Sequence, residues 1–310
     1  MPNNPASVKH PRTIVGVIGL GSMGLGMAQS LMRSGFRVKG HDISSSAMEK
    51  FVSQGGEGAG SPAEAAREAD IILCVVVTAA QTNAVLLGPD GVAGVVKAGS
   101  VFISSATMDP ASARRLGKEA EARGLLYLDA PISGGAARAA KGELTVVASG
   151  SRAAFAKARP ALNAIAAKVY ELGDEPGIGA GFKMINQLLA GVHIAAAAEA
   201  IVFAAKQGLD LAKVYEVITA SAGNSWMFEN RVPNILAGDY HPYSATEIFV
   251  KDLGIVQDMA RSERYPVPLA AAALQMFLAA AGAGYGRDDD SSVARVYAQL
   301  SGLKLPEKAK

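Results

Sequence analysis

The feature that most constrains the fold is TIVGVIGLGSMG at residues 13–24, where an apolar, β-branched run leads directly into three spaced glycines. Gly19, Gly21 and Gly24 form the pattern G-x-G-x-x-G, and the residues that follow have a helical apolar period. The first glycine permits a tight turn, the second lets a phosphate approach the backbone, and the third lets helix and strand pack closely. The pattern predicts a strand, a turn and a helix that hold a dinucleotide.

The same segment carries two further features of a dinucleotide site. The helix is expected to begin with free backbone amides, which can bind the phosphates of the cofactor. Leu20, Ser22 and Met23, the other residues of the turn, are also expected to contact the cofactor. Asp42 follows Gly21 by 21 residues, at the end of the next apolar run, where its carboxylate can bond the adenine ribose hydroxyls. Because a carboxylate repels a ribose 2′-phosphate and no arginine follows it nearby, the sequence favours NAD over NADP.

Apolar runs alternate with helical stretches from Thr13 to about Gly173, which predicts a mostly parallel sheet with helices on both faces. The predicted strands are Thr13–Ile18, Arg37–His41, Asp70–Val77, Ser100–Ser104, Leu125–Leu128, Leu144–Ser149 and Lys168–Leu172. Beyond EPGIGAG at residues 175–181 no strand is expected. The helices predicted there are Lys183–Gln207, Leu211–Ala220, Thr246–Glu263, Leu269–Gly282 and Arg287–Leu300, the last opened by the acidic run Asp288–Asp290.

The predicted fold class is therefore α/β, with an N-terminal Rossmann-type, doubly wound domain and a C-terminal all-α domain. We expect a disordered tail at 1–12, an NAD-binding domain at 13–175, a helical substrate and oligomerisation domain at 176–303, and a loose tail at 304–310. The long apolar helix from Lys183 is difficult to bury within one small helical domain, so we also expect a homodimer or homotetramer.

Composition narrows the remaining possibilities. With 30 basic and 28 acidic residues the net charge is +2, which argues against a nucleic-acid or membrane-surface binder. A single cysteine, Cys74, allows neither an intrachain disulfide nor a cysteine zinc cluster, which fits a reduced, cytoplasmic setting. The histidines lie far apart in sequence, so no metal site is predicted. The apolar stretch Leu188–Ala205 contains His193 and Glu199, which favours a buried helix over a membrane span.

Two later segments carry candidate chemistry. Ser133, Gly134 and Gly135 follow a predicted strand and offer a hydroxyl and successive amides that suit a carboxylate, although a bare turn would have the same sequence. Lys183, Asn186 and Gln187 share one helix face. Burial would lower the pKa of this lysine towards that of a proton-transferring amine; the alternative is a lysine that anchors phosphate or extends to solvent.

Four segments together resemble the signature blocks of the β-hydroxyacid dehydrogenase family, which includes 3-hydroxyisobutyrate dehydrogenase. They are GVIGLGSMGLGMAQSLMRSGFRVKGHD, DAPISGGAARAAKGELTVVASG, GAGFKMINQLL and FVKDLGIVQDMA, in the family's order and over nearly the whole chain. The resemblance implies NAD-dependent oxidation of a small hydroxy acid. The stretch SAGNSWMFENRVPNILAGDY, taken with FVKDLGIV, is most similar to the threonate dehydrogenase branch, which implies oxidation of L-threonate to 2-oxotetronate.

The resemblance also assigns roles. Lys183 matches the catalytic lysine of the G-x-x-x-K motif that begins at Gly179, and Gln187 matches its last position. The Ser133–Gly135 loop matches the family's site for the substrate carboxylate. Thr107 and Lys251 match cofactor-contacting positions.

We also expect Val76 and Val77, at the end of the third predicted strand, to contact the cofactor. Alternative hypotheses keep the fold and change the substrate, to 3-hydroxyisobutyrate, tartronate semialdehyde, D-erythronate or a succinic semialdehyde. A non-catalytic nucleotide-binding regulator and an imine reductase are further alternatives, and the presence of Lys183 argues against both.

Overall fold

The structure is a computed structural model that describes residues 13–306. The chain forms two compact units that divide between Lys183 and Met184, and each is described by itself. The predicted tail at 1–12 lies outside the described residues, as do the last four residues of the predicted tail at 304–310. Residues 304–306 have no regular secondary structure.

The first unit contains nine strands that form one sheet. They are β1 Ile14–Ile18, β2 Arg37–His41, β3 Glu57–Gly58, β4 Ile71–Cys74, β5 Val101–Ser104, β6 Leu126–Asp129, β7 Ile132–Ser133, β8 Leu144–Gly150 and β9 Ala166–Glu171. Their spatial order is β3-β2-β1-β4-β5-β6-β8-β7, with β9 beside β8. Strands β1 to β6 run parallel, whereas β8 is antiparallel to β6 and β7.

Seven α-helices lie wholly within the described part of this unit, which also contains the short 3-10 helix Val92–Gly94. They are α1 Ser22–Arg33, α2 Ser45–Ser53, α3 Pro62–Ala66, α4 Ala79–Leu87, α5 Pro110–Glu121, α6 Gly135–Lys141 and α7 Arg152–Ile165. Alternate residues of each strand face opposite sides of the sheet, so Val15 and Val17 join one buried cluster with Met27 of α1, and Ile72 and Phe102 join another. The predicted fold class of this half, a mostly parallel sheet with two covered faces, is confirmed.

The order in which successive strands are added to the sheet reverses between β1 and β4, because β2 pairs with one side of β1 and β4 with the other, while all three strands stay parallel. In open parallel sheets, ligands bind beside the carboxyl ends of the strands at such a point. The glycine-rich turn follows β1 and therefore lies there.

The last six helices run from the end of the first unit through the second. They are α8 Ile178–Lys206, α9 Leu211–Thr219, α10 Trp226–Ala237, α11 Thr246–Ser262, α12 Pro268–Ala280 and α13 Val293–Leu300. Ile201 of α8, Phe228 of α10, Leu253 of α11 and Phe277 of α12 are buried in one apolar cluster of the second unit. The prediction that this half is helical is confirmed.

Several predicted element boundaries are wrong. The strand expected at Asp70–Val77 ends at Cys74, because the amides of Val77 and Thr78 bond the Gln81 side chain and open α4 instead. Helix α8 begins at Ile178 rather than near Lys183. No helix was predicted between Ala220 and Thr246, yet α10 begins there at Trp226, because Ser225 Oγ accepts a hydrogen bond from the amide of Phe228.

The acidic run at 288–290 also differs from expectation. It was predicted to open a final helix from Arg287, but α13 begins only at Val293. Asp290 is fully buried and pairs with Arg231 of α10, with Nη2 3.0 Å from Oδ2. Asp289 bonds the amide and hydroxyl of Ser291. Asp290 therefore joins two elements inside the second unit, whereas Asp289 caps the short 3-10 helix Asp290–Ser292.

Candidate active site

The glycine turn has the close packing that its sequence predicts. Gly19 has φ +93°, and a Cβ there would lie 2.5 Å from the carbonyl oxygen of Val75. A Cβ on Gly24 would lie 1.8 Å from the carbonyl oxygen of Gly19. Neither position can therefore carry a side chain without a shift of the backbone. These two glycines allow α1 to begin directly against the end of β1.

Gly21 differs from its two neighbours, because a Cβ there would meet nothing within 4 Å. The backbone beside it is open to a ligand. Gly21 is also the N-cap residue of α1, and no side chain caps the helix. An open approach to a helix N-terminus without a side-chain cap fits a pyrophosphate, which its amides and positive dipole end can bind.

The remaining residues of the turn contribute in different ways. Leu20 is 2% exposed, so its side chain is in the core and only its backbone can face a ligand. Ser22 is exposed and Met23 half-buried at the start of α1. Asp42 follows β2 directly, and its Oδ2 accepts a hydrogen bond of 2.6 Å from the amide of Leu20. Its Oδ1 accepts one of 2.8 Å from the amide of Ser44.

Three more predicted cofactor residues follow the ends of the next two strands. Val76 and Val77 lie between β4 and the N-terminus of α4, where Val77 is 45% exposed. Thr107 lies between β5 and Asp109, the residue that caps α5. Since parallel strands present their carboxyl ends at one edge of a sheet, these residues lie at the same edge as the glycine turn.

The predicted carboxylate-binding loop contains a backbone turn that requires glycine. Gly134 has φ +135° and Gly135 has φ +77°, two successive conformations that L side chains rarely adopt. Ser133 ends β7, and α6 begins at Gly135 without a side-chain cap. The arrangement presents a half-buried hydroxyl beside backbone amides, which suits a carboxylate.

Lys183 lies in the second turn of α8 and is 6% exposed. It is thus buried, as expected for an amine that must lose its proton at neutral pH. The helix begins at the carboxyl end of β6, because the amides of Gly177 and Ala180 bond Oδ2 of Asp129 at 2.9 and 2.8 Å. The start of this helix and the glycine turn therefore lie at the same edge of the sheet.

Asp129 itself was not singled out in the sequence. It is fully buried, and burial raises the pKa of its carboxyl to about 6, against the opposing effect of its hydrogen bonds to the two amides and Ser149. The one available signal was its place in the motif DAPISGG, directly before the glycine loop. Cys74, at the end of β4, is also buried, and burial raises the pKa of its thiol to about 12.

In the second unit, a chain of polar contacts connects three of the predicted residues. The side-chain amide of Asn186 donates to Gln187 at 2.8 Å, and Gln187 donates to Oδ2 of Asp252. Lys251 Nζ lies 2.6 Å from Oδ1 of Asp252. Asp252 is fully buried, so its ion pair with Lys251 is partly shielded from water.

The sequence comparisons agree with this geometry. Residues 14–173 match the family profile "NAD binding domain of 6-phosphogluconate dehydrogenase". Residues 177–297 match "NAD-binding of NADP-dependent 3-hydroxyisobutyrate dehydrogenase". Together the two profiles cover nearly the whole chain.

The chain belongs to the β-hydroxyacid dehydrogenase family. It is an NAD-dependent hydroxyacid dehydrogenase, as its sequence predicted. The fit of the turn at Gly19–Gly24 and of Asp42 to a dinucleotide gives the structural reason.

Relatives within the β-hydroxyacid dehydrogenase family match over most of their length. The L-threonate dehydrogenase of Cupriavidus necator is 53% identical over 295 residues, 95% of this chain and 98% of that protein. The mitochondrial 3-hydroxyisobutyrate dehydrogenase of Homo sapiens is 34% identical over 289 residues, which are 91% of this chain and 86% of that protein. A solved structure described as 3-hydroxyisobutyrate dehydrogenase from Salmonella typhimurium has a TM-score of 0.87 and 49% identity, covering 92% of this chain and 99% of that one.

Two helical segments among residues 13–306 are long and apolar enough to cross a membrane by composition alone, Ile178–Lys206 and Pro268–Tyr285. A core helix of a soluble protein has the same properties, and half of the most apolar window of the first is buried in this fold. In the same range, no group of three or more His, Cys, Asp or Glu side chains is placed to hold a metal ion.

Proposed function

We propose that this dehydrogenase oxidises L-threonate at carbon 2 to 2-oxotetronate, with NAD as the hydride acceptor. Five relatives named L-threonate dehydrogenase are 48–53% identical to this chain, whereas two mammalian 3-hydroxyisobutyrate dehydrogenases are 34% identical. The structural observation that carries the proposal is the buried Lys183, on a helix that begins at the edge of the sheet where the dinucleotide turn lies.

The residues proposed to hold the dinucleotide are those with a matching local geometry. The turn at Gly19–Gly24 would bind the pyrophosphate. The carboxylate of Asp42 would accept hydrogen bonds from the ribose hydroxyls of NAD, and its charge would repel the 2′-phosphate of NADP. Thr107 and Lys251 would contact the cofactor, together with Val76 and Val77. The nicotinamide ring, when bound, accepts the hydride that leaves the carbinol carbon.

The chain's own groups would bind the acid and move its proton. Amides and the hydroxyl of Ser133–Gly135 would hold the substrate carboxylate, and Gln187 and Asn186 would orient its hydroxyl oxygens. The amine of Lys183 would accept the proton of the C2 hydroxyl during oxidation and return it to the oxygen during reduction. This step requires the neutral amine of Lys183, whose side chain is 6% exposed.

Substrate identity can be tested with a panel of purified acids. L-Threonate, D-erythronate and 3-hydroxyisobutyrate would be compared by NADH formation, and tartronate semialdehyde by NADH consumption, with NAD and NADP cofactors in parallel. We expect the highest kcat/KM for L-threonate with NAD. A higher value for another acid would replace the substrate while leaving the enzyme class intact. No absorbance change with any acid would favour the regulator hypothesis.

We also propose that the enzyme is a cytoplasmic homodimer or homotetramer that acts in the breakdown of sugar acids. On α8, Phe182, Ile185 and Leu189 lie at helical spacing and are 56%, 61% and 49% exposed. Phe203, further along the helix, is 65% exposed. A second copy of the chain would remove this apolar stripe from water. Light scattering that gave the mass of one chain, about 32 kDa, would refute the oligomer.

A further inference from the structure

The first turn of α8 is held by two buried side chains from the sheet. Oδ2 of Asp129, the last residue of β6, accepts hydrogen bonds from the amides of Gly177 and Ala180. Ser149 Oγ, from β8, accepts one of 2.9 Å from the amide of Gly179. Backbone amides at a helix N-terminus have no partner within the helix, so these three bonds fix the helix where it begins.

The helix also makes a close backbone approach at this point. A Cβ on Gly179 would lie 2.6 Å from the carbonyl oxygen of Val147 and 3.0 Å from that of Asp129. A Cβ on Gly181, two residues later, would meet only a side-chain carbon of Pro110 at 3.8 Å. Gly179 is therefore required for contact between the helix and the ends of β6 and β8, and Gly181 is not.

The two anchoring side chains are held in place by the sheet. Asp129 pairs in register with Ser149 on one side and with Ser104 of β5 on the other. Both anchors are fully buried. Lys183 follows Gly179 by four residues in the same continuous helix, about 6 Å along its axis at the usual helical rise. Because the helix is continuous, any displacement of its first turn would displace the amine of Lys183 by about the same amount.

We propose that Asp129 and Ser149 are positioning residues for Lys183, because they fix the first turn of the helix that carries it. The inference rests on the proposed role of Lys183 in proton transfer. A catalytic group must be held close to its productive geometry, and an error of about 1 Å can reduce the rate about a hundredfold. Neither anchor needs to contact substrate or cofactor.

The test compares Asp129→Asn, Ser149→Ala and Gly179→Ala with the matched control Gly181→Ala. Amide hydrogen exchange over residues 177–183 reports the anchor without requiring activity. Steady-state kinetics with the best acid of the panel and NAD titration report function. We expect faster exchange and a kcat lower by about ten- to a hundredfold in the three variants, with the KM of the acid and the Kd of NAD within about twofold of wild type. The control should retain both slow exchange and kcat.

Three results would overturn the proposal. The first is unchanged exchange in the anchor variants, and the second is faster exchange with unchanged kcat. The third is a loss confined to the KM of the acid, which would indicate that Asp129 acts on the Ser133 loop instead. If Asp129→Asn does not fold, Ser149→Ala tests the same proposal, because Ser149 anchors the same helix turn from β8. A fully active Lys183→Ala would refute the proposed function, and hydrogen exchange would still report the anchor separately.

Discussion

The carboxylate of Asp42 accepts a hydrogen bond of 2.6 Å from the backbone amide of Leu20. The bond joins the end of β2 to the glycine turn after β1, 22 residues earlier in the chain. The acidic residue and the glycine turn are therefore directly connected. A second bond, from the amide of Ser44, holds the other carboxylate oxygen at 2.8 Å.

This arrangement predicts the cofactor preference. Asp42→Ala should raise the Kd of NAD about tenfold, because a bond to a charged acceptor contributes about 1.5–3 kcal/mol. The Kd of NADP should change less, since the repulsion of its 2′-phosphate is removed at the same time. Fluorescence titration with both cofactors measures the ratio. Asp42→Asn keeps the shape of the side chain and removes its charge, so it is the control for loop geometry. An unchanged ratio of the Kd of NAD to the Kd of NADP in both variants would contradict the assignment.

Substitutions at two glycines of the turn should have different effects, one on stability and the other on NAD binding. Gly24→Ala places a Cβ 1.8 Å from a backbone oxygen, so we expect a loss of stability of about 2–3 kcal/mol. Gly21→Ala meets no protein atom within 4 Å and should keep the stability of the wild type, yet it should weaken NAD binding by blocking the approach of the phosphates. Thermal unfolding and NAD titration test both. Equal effects of the two variants on stability would show that Gly21 is not open to ligand.

Burial of Asp129 predicts a specific pH dependence. Because burial raises its pKa from 3.8 to about 6, the folded state binds this proton more tightly than the unfolded chain does. The corresponding stability is present at low pH and is lost as the pH rises through about 6. Between about pH 8 and about pH 5, wild type should therefore gain about 1 kcal/mol of unfolding free energy relative to Asp129→Asn. Parallel stability curves for the two proteins would contradict this.

The ion pair of the second unit predicts a large effect on stability. Arg231 is 13% exposed and Asp290 fully buried, so Arg231→Met leaves a buried carboxylate without its cation. We expect a loss of about 3–5 kcal/mol in unfolding free energy. Lys213→Met removes a pair whose side chains are about 70% exposed and should cost less than about 1 kcal/mol. Denaturant unfolding of both variants checks the contrast, which would be absent if Asp290 were accessible to water.

Local sequence patterns predicted much of this fold. The strand Arg37–His41 has the predicted limits, and helix α9 begins at the predicted residue, Leu211, where Asp210 caps it. The glycine turn was predictable because Gly19 and Gly24 lie too close to backbone atoms of nearby segments to carry a side chain, and Gly21 leaves the backbone open to a ligand. Asp42 was predictable because its distance from the turn follows from the length of one strand–helix–strand unit.

The anchors of α8 were not predictable in this way. Asp129 bonds amides 48 and 51 residues later, and no local pattern indicates that pairing. Helix α8 was expected to begin near Lys183 because Gly177, Gly179 and Gly181 indicate a loop. The helix nevertheless begins at Ile178, because side chains from two strands satisfy its first amides. Contacts between distant segments therefore override the local propensity of glycine.

The central claim is that the buried amine of Lys183 transfers the proton of the substrate hydroxyl. Its most direct test is the turnover of Lys183→Ala and Lys183→Arg with saturating NAD and the best acid of the panel, with the Kd of NAD measured in parallel. We expect kcat to fall about a thousandfold in both variants, within the range for general acid–base catalysis, with NAD affinity retained. Turnover near that of wild type in Lys183→Ala would contradict it.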